Sequence, residues 1–250
     1  MRMRIVSDTS YAPDADFAAA ANGKQELFDR ADADFEGFWA DQARERITWA
    51  KDFTQTLDWS NAPFAKWFAD GQLNVAYNCV DRHVEAGNGE RVAIHFEGDQ
   101  GDTRTITYAD LQKEVSKTAN ALSELGIGKG DRVAIYMPMI PETVFTMLAC
   151  ARLGAPHSVV FGGFSADALH TRIVDADATV VVTTDGQWRR GKPAPLKAAV
   201  DESLTRGEHP VKHVLVVKRT DSEVQWNDDI DKWWHDVVDR QSDPVSYTHL

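Results

Sequence analysis

The chain is short of the residues that hold small secreted or metal-stabilised proteins together. Only two cysteines, Cys79 and Cys150, occur in 250 residues. They form no CxxC pair, which excludes a disulfide framework and a cysteine-based metal cluster. Both lie in otherwise apolar helical patterns, so buried thiols in a reducing compartment are expected. No run of about 18 apolar residues occurs, so no membrane-spanning helix is expected. The opening "MRMRIVSDTS" has basic residues with no apolar segment behind them, unlike a secretory leader. Positive charge is scarce as well: 27 Lys and Arg stand against 39 Asp and Glu, a formal net charge of -12. That balance argues against a general nucleic-acid or anionic-membrane surface, and the chain reads as cytoplasmic. An anionic ligand would have to be met by a local basic patch.

What is present is ordinary for a globular protein, with 43% hydrophobic and 26% charged residues. The texture changes along the chain. The N-terminal part is poor in β-pattern and holds Trp39, Trp49, Trp59 and Trp67, half of the eight tryptophans. In it, "DFEGFWADQARERITWA" puts Phe35, Phe38, Trp39, Gln42, Ala43 and Arg46 on one helical side. "LNVAYNCVDRHVEAG" starts at a plausible cap, Asn74, and puts Val75, Cys79, Val80, His83 and Val84 on one face. A helical cap follows from these patterns.

From Arg91 the pattern becomes β-rich. "RVAIHFE" and "TRTITY", joined by "GDQGD", predict a hairpin. Thr107 and Asp110 open the next helix with a capping box, and Gly126 closes it. Strands "RVAIYM", "HSVVF", "TVVVTT" and "VKHVLVVK" then alternate with helices through "ETVFTMLACARL", from Ser165 to Ile173, and through "LKAAVDESL". The strands are apolar throughout, as expected when both faces of a parallel sheet are covered. The expected fold class is therefore α/β, mostly parallel, with helices on both faces. "WNDDIDKWWHDVVDR" reads as a helix with Ile230, Trp233, Trp234, Val237 and Val238 on its apolar side. No further strand is expected, so the domain reads as incomplete, with apolar strand edges and that tryptophan helix left uncovered.

Two strand ends carry chemistry, and in open α/β sheets ligands bind beyond the carboxyl ends of strands. In "FGGFS", Gly162 and Gly163 can take positive φ or admit a ligand against bare backbone. Phe161 and Phe164 offer ring faces, and Ser165 starts a helix whose N–H groups favour an anion. A tight strand-to-helix turn accounts for the same residues. The second stretch, "DGQWRRGKPAPLK", concentrates Arg189, Arg190, Lys192 and Lys197 with no acid after Asp185, against an acidic background. A guanidinium fork suits phosphate, and Trp188 offers a stacking face; a solvated basic loop is the alternative. Gly186 to Lys192 also spells G-x-x-x-x-G-K. Pro193 stands where a magnesium-binding hydroxyl would be, and Trp188, Arg189 and Arg190 are too bulky for a phosphate-wrapping loop. His157, Asp175 and Asp177 near strand ends read as structural, and no catalytic or metal constellation is apparent.

Three strings carry a resemblance: "WFADGQLNVAYNCVDRH", "YMPMIPETVFTMLACARLGAPHSVVFGGFSADAL" and "RRGKPAPLK". From about Phe28 to about Arg240 the chain resembles the acetate–CoA ligase (acetyl-CoA synthetase) branch of the adenylate-forming enzymes. The resemblance implies a cap over residues 1–85, the front part of the large AMP-binding domain over residues 86–245, and a non-native tail over residues 246–250. It implies that acetate and ATP form an acetyl-adenylate with release of pyrophosphate, and that the acetyl group then passes to the thiol of CoA. It implies CoA contacts at Phe161, Gly162, Gly163, Arg189, Arg190, Gly191 and Lys192. Many relatives read Arg-Ala-Gly-Arg at the last four positions, so Arg190 and Lys192 depart from the pattern, and Lys192 lacks the bidentate fork. In the family the ATP and Mg2+ groups lie in later motifs, among them a T-S-G-T-T-G-K-P loop that does not occur here. The resemblance thus implies no catalytic residue in this chain and an inactive fragment, with small molecules as partners and neither nucleic acid nor membrane. A propionate or other short-chain acyl–CoA ligase and a non-catalytic CoA-binding module are the alternatives. Nothing in the sequence indicates oligomeric state.

Overall fold

The computed structural model describes residues 11–243; the tail over residues 246–250 lies outside them. The chain forms two compact units, one of residues 1–47 and 52–71 and one of residues 48–51 and 72–250.

The first unit contains α1 (Ala15–Ala20), α2 (Gln25–Ala33), α3 (Phe35–Arg46) and a two-stranded antiparallel pair, β1 (Leu57–Asp58) and β2 (Lys66–Trp67). The Asp34 side chain caps α3 by accepting from Gly37 N at 3.0 Å, the role expected of a short acid at a helix start. The helix buries Ala40 and Ala43. The predicted aromatic face is only partly buried: Phe35, Phe38, Trp39 and Trp67 meet edge-to-face at 5.4–6.5 Å, the arrangement ring quadrupoles favour. Asp70 binds Thr54 through its N–H and its hydroxyl, and these bonds lower its pKa to about 2.

The second unit holds β3 (Val92–Glu97), β4 (Thr103–Thr107), α4 (Tyr108–Glu124), β5 (Val133–Met137), α5 (Pro141–Leu153), β6 (His157–Phe161), α6 (Ala166–Ala176) and β7 (Val180–Thr184). It continues through β8 (Gly186–Arg189), β9 (Lys192–Pro195), α7 (Lys197–Leu204), β10 (His213–Val217), β11 (Asp231–Trp233) and α8 (Trp234–Val237). The predicted hairpin is β3–β4, and the Thr107/Asp110 capping box starts α4 as expected. The main sheet has the order β11-β10-β7-β5-β6 with all neighbours parallel. Alternate residues of one strand serve two cores. Val133, Ile135 and Met137 face a core with Leu111, Val115, Leu122 and Phe145. Ala134 and Tyr136 face another with Leu169, Ile173, Leu196 and Val200. Burying each Leu or Val contributes about 1.5–3 kcal/mol, which is why these strands read as continuous apolar runs. The α/β class is as expected.

Five expectations are corrected. The segment after Asn74 is not a regular α-helix. It is π-helical over Tyr77–Asp81 and Val84–Asn88. The wider turn rotates the buried face, so Val80 and Asp81 are inside while Val75 and Cys79 are exposed. Only Cys150 is a buried thiol, its pKa pushed up to about 12 by burial. The tryptophan helix is instead strand β11 followed by the short α8. A fifth strand therefore does join the sheet, and Trp234 is packed in the core beside Val237 and Val238. Trp233 stacks on Trp226 at 4.4 Å. The basic stretch is not a loop leading to a helix but the antiparallel hairpin β8–β9. Lys197 does not belong to its charge: its ammonium is buried at the start of α7, 2.8 Å from Asp231 and paired with Asp201. The other unforeseen buried cation, Arg152, meets Asp81 at 2.6 Å; it also donates to the Ser116 hydroxyl, while Gln112 donates to Asp81.

Candidate functional site

The sheet order places β6 and β7 on opposite sides of β5, so the connections leaving them diverge at the carboxyl end of β5. A crevice at such a switch point is the usual ligand position in an open α/β sheet. Both sequence-predicted corners are there.

At the end of β6, Phe164 N donates to Phe161 O at 2.9 Å, closing a tight turn through the glycine pair. The Tyr136 hydroxyl, at the end of β5, donates to Phe164 O at 2.8 Å and fixes the turn over the sheet. Burial raises the pKa of that hydroxyl, so it remains a donor at neutral pH. Neither glycine uses positive φ. What each requires is space. Gly162 is buried; a Cβ there would meet Leu196 and Met137 O at 3.4 Å. Gly163 is open, but a Cβ would lie 2.7 Å from the Phe161 ring. Phe161 is 65% exposed and Phe164 42% exposed, with their rings edge-to-face at 6.0 Å. The Arg172 guanidinium lies 4.8 Å above the Phe164 ring, a cation–π contact. Ser165 caps α6, its hydroxyl accepting from Ala168 N at 3.3 Å.

The β8–β9 hairpin turns at Arg190 and Gly191, with φ of 53° and 73°. Positive φ at both central residues is the two-residue hairpin turn whose twist matches the strands. Arg189, Arg190 and Lys192 are all exposed. The two corners meet directly. The position a Cβ would take on Gly163 lies 3.5 Å from Arg189 Nη1, and Gln187 Nε2 donates to Gly162 O at 2.8 Å.

Residues that the sequence reading passed over hold the hairpin. Asp99 accepts from the turn amide of Gly191 at 3.2 Å. Asp102, in the same β3–β4 connection, pairs through both oxygens with Arg219 at 2.7 and 3.0 Å. The bonds to Arg219 lower the pKa of Asp102, and Asp102 raises that of Arg219. Asp185, at the end of β7, is buried and accepts four backbone N–H groups. The one sequence signal for it was an acid directly after an apolar strand. Phe161, Gly163, Arg189, Arg190, Gly191 and Lys192 are each exposed, Gly162 is buried, and Arg189 and Gln187 are the hairpin residues that reach the glycine turn. Among the described residues no group of three or more His, Cys, Asp or Glu is placed to hold a metal ion, and no helix is long and apolar enough to cross a membrane. Chemically, the exposed residues offer cations, ring faces and glycine backbone to a phosphate-bearing ligand with an apolar part.

Comparison with known families matches residues 80–248 to the AMP-binding enzyme family and residues 24–79 to the acetyl-coenzyme A synthetase N-terminus. The chain is similar to the acetyl-coenzyme A synthetase of Streptomyces coelicolor, 69% identical over 238 residues, 95% of this chain and 36% of that protein. Its likeness to the Mycobacterium tuberculosis acetyl-coenzyme A synthetase is 62% over 232 residues, 92% of this chain and 36% of the relative. To that of Burkholderia thailandensis it is 53% over 239 residues, 93% and 36%. The chain spans little more than a third of the length of these curated relatives.

Proposed function

Because the chain belongs to the AMP-binding enzyme family, we propose that it is part of an acetate–CoA ligase and that the β6–α6 corner and the β8–β9 hairpin form its share of the CoA seat. The proposal includes the division into a cap over residues 1–85 and a large-domain segment over residues 86–245. In the proposed reaction acetate and ATP give acetyl-adenylate and pyrophosphate. The CoA sulfur then bonds to the acyl carbon as the bond to AMP breaks.

The observation that carries this reading is the approach of Arg189 to Gly163. It puts a guanidinium fork beside exposed glycine backbone that is flanked by the Phe161 ring. Arg189, Arg190 and Lys192 form no ion pair among the described residues, so their charge is available to phosphate. CoA fits these features: its phosphates suit the cations, its base suits the Phe161 and Phe164 rings, and its chain can lie along Gly163. Lys192 supplies a point charge rather than a fork. ATP and Mg2+ belong to the proposed reaction of the family, and the hairpin residues are assigned no part in holding them. The 250-residue chain alone is expected to bind CoA without releasing pyrophosphate from ATP and acetate; acetate-dependent release would refute that part.

The direct test is calorimetric titration of CoA into the wild-type chain and into Arg189→Ala. Losing one charge-assisted contact of about 1.5–3 kcal/mol weakens binding roughly 10- to 100-fold. Added salt should weaken the wild type as well. Equal affinity in the two proteins would remove the hairpin from the site.

A further inference from the structure

We propose that Asp185 is a positioning residue for the CoA seat, holding the cationic hairpin at the angle that brings Arg189 to Gly163. The inference rests on the CoA reading above. The carboxylate is 1% exposed and works entirely through backbone. One oxygen accepts from Gly186 N and Arg219 N at 2.7 Å, and Thr220 N lies within 3.2 Å of both oxygens. The second oxygen accepts from Ser222 N at 3.1 Å. The backbone oxygen of the same residue accepts from Leu196 N at 3.3 Å, where the hairpin closes. Asp185 therefore touches the first residue of β8, the residue after β9, and the connection that follows β10.

That connection leads to the other end of the hairpin. Arg219, whose amide is held by Asp185, reaches Asp102 with its guanidinium, and Asp99 in the same turn takes the Gly191 amide at the hairpin tip. Root and tip are thus fastened in one circuit, and the root fastening is the buried one. Gly186 belongs to it, because a Cβ there would fall 2.6 Å from Thr220 Oγ1 and 3.0 Å from Ala194 O. A carboxylate is the group for this task. It accepts at both oxygens, whereas an amide of the same shape would turn an N–H2 toward donors. A two-stranded hairpin has little stability of its own, so its direction depends on such ties.

The experiment compares wild type with Asp185→Asn by amide hydrogen exchange and by CoA titration at several salt concentrations. Exchange is read without ligand. It should rise at least tenfold at residues 186–196 and 219–222, with β5 and β6 unchanged. CoA affinity should fall about tenfold, and its salt dependence should flatten as the cations lose their common aim. Loss of folded protein alone would not alter that slope. Unchanged exchange in the hairpin overturns the inference even if Arg189→Ala abolishes binding. Loosened exchange with unchanged CoA affinity, in a chain where Arg189→Ala does weaken binding, also overturns it. Loosened exchange in a chain whose wild type and Arg189→Ala bind CoA equally overturns the CoA reading and leaves the hairpin tie standing. If Asp185→Asn does not fold, Ser222→Pro removes one of the four donors and is read in the same way.

Discussion

The tip and the root of the β8–β9 hairpin are built on opposite electrostatic plans from similar residues. At the tip, Arg189, Arg190 and Lys192 are exposed and free of ion pairs among the described residues. At the root, Lys197 is 1% exposed and lies between Asp201 and Asp231, while Asp185 is saturated by backbone donors. A buried charge must be neutralised and hydrogen-bonded. The root charges are therefore committed to the fold, and those at the tip remain available to a ligand. A cluster of cations in a sequence is therefore not one functional unit: burial divides it.

The largest expected break of that contrast comes from the buried lysine. Lys197→Ala leaves Asp231 buried without a counter-charge and should cost about 3–5 kcal/mol, whereas Arg190→Ala should change stability by no more than about 0.5 kcal/mol. Urea unfolding of the two variants measures both, and similar losses would abolish the distinction between root and tip. The two hairpin glycines sharpen the contrast at smaller scale. Gly186→Ala drives a Cβ into Thr220 and the Ala194 carbonyl and should cost about 1–3 kcal/mol. Gly191→Ala meets no atom within 4 Å and pays only the left-handed backbone penalty of about 1 kcal/mol. If Gly191→Ala proves the costlier by thermal unfolding, crowding is not what governs the root.

The acids at the two ends should also respond to pH with opposite signs. Burial raises the pKa of Asp201 above its ordinary value, with Lys197 opposing and Asp231 reinforcing. Protonation is then easier in the folded chain, so this group's contribution is present below the unfolded carboxylate pKa and is lost as pH rises through the raised value. Asp102 is lowered, chiefly by its bond to Arg219. Its contribution is present above the unfolded pKa and is lost as pH falls through the lowered value. Unfolding of Asp201→Asn and Asp102→Asn across pH 3 to 7 checks the two signs; parallel profiles would contradict them. The least costly contrast concerns thiols: Cys79 should alkylate in the folded chain, and Cys150, held protonated by burial, only after unfolding.

Much of the fold was legible. Thr107 and Asp110 announced α4, "ETVFTMLACARL" marked α5, and the apolar runs of β5, β7 and β10 marked a sheet covered on both faces. Local chemistry dictates each of these. Where structure and expectation differ, the causes are separate. "WNDDIDKWW" has helical periodicity, but its backbone pairs with β10. The face of Cys79 shifted because a π-helical turn changes the period on which a helical reading relies. The turn of the β8–β9 hairpin, Arg190 and Gly191, includes only one glycine, so residue type alone does not announce it.

The candidate site divides in the same way. Sequence alone determined where cations, ring faces and glycine backbone occur together, because a glycine pair between phenyl rings and a run of cations in an acidic chain are properties of residue type. Tertiary structure alone decided that Gly162 is covered and Gly163 open, that Lys197 is structural, and that Arg189 lies against the glycine turn. Those outcomes depend on β6 and β7 flanking β5 and on ties such as Asp185 to Arg219. Burial and proximity arise from how distant segments pack, and residue type does not contain them.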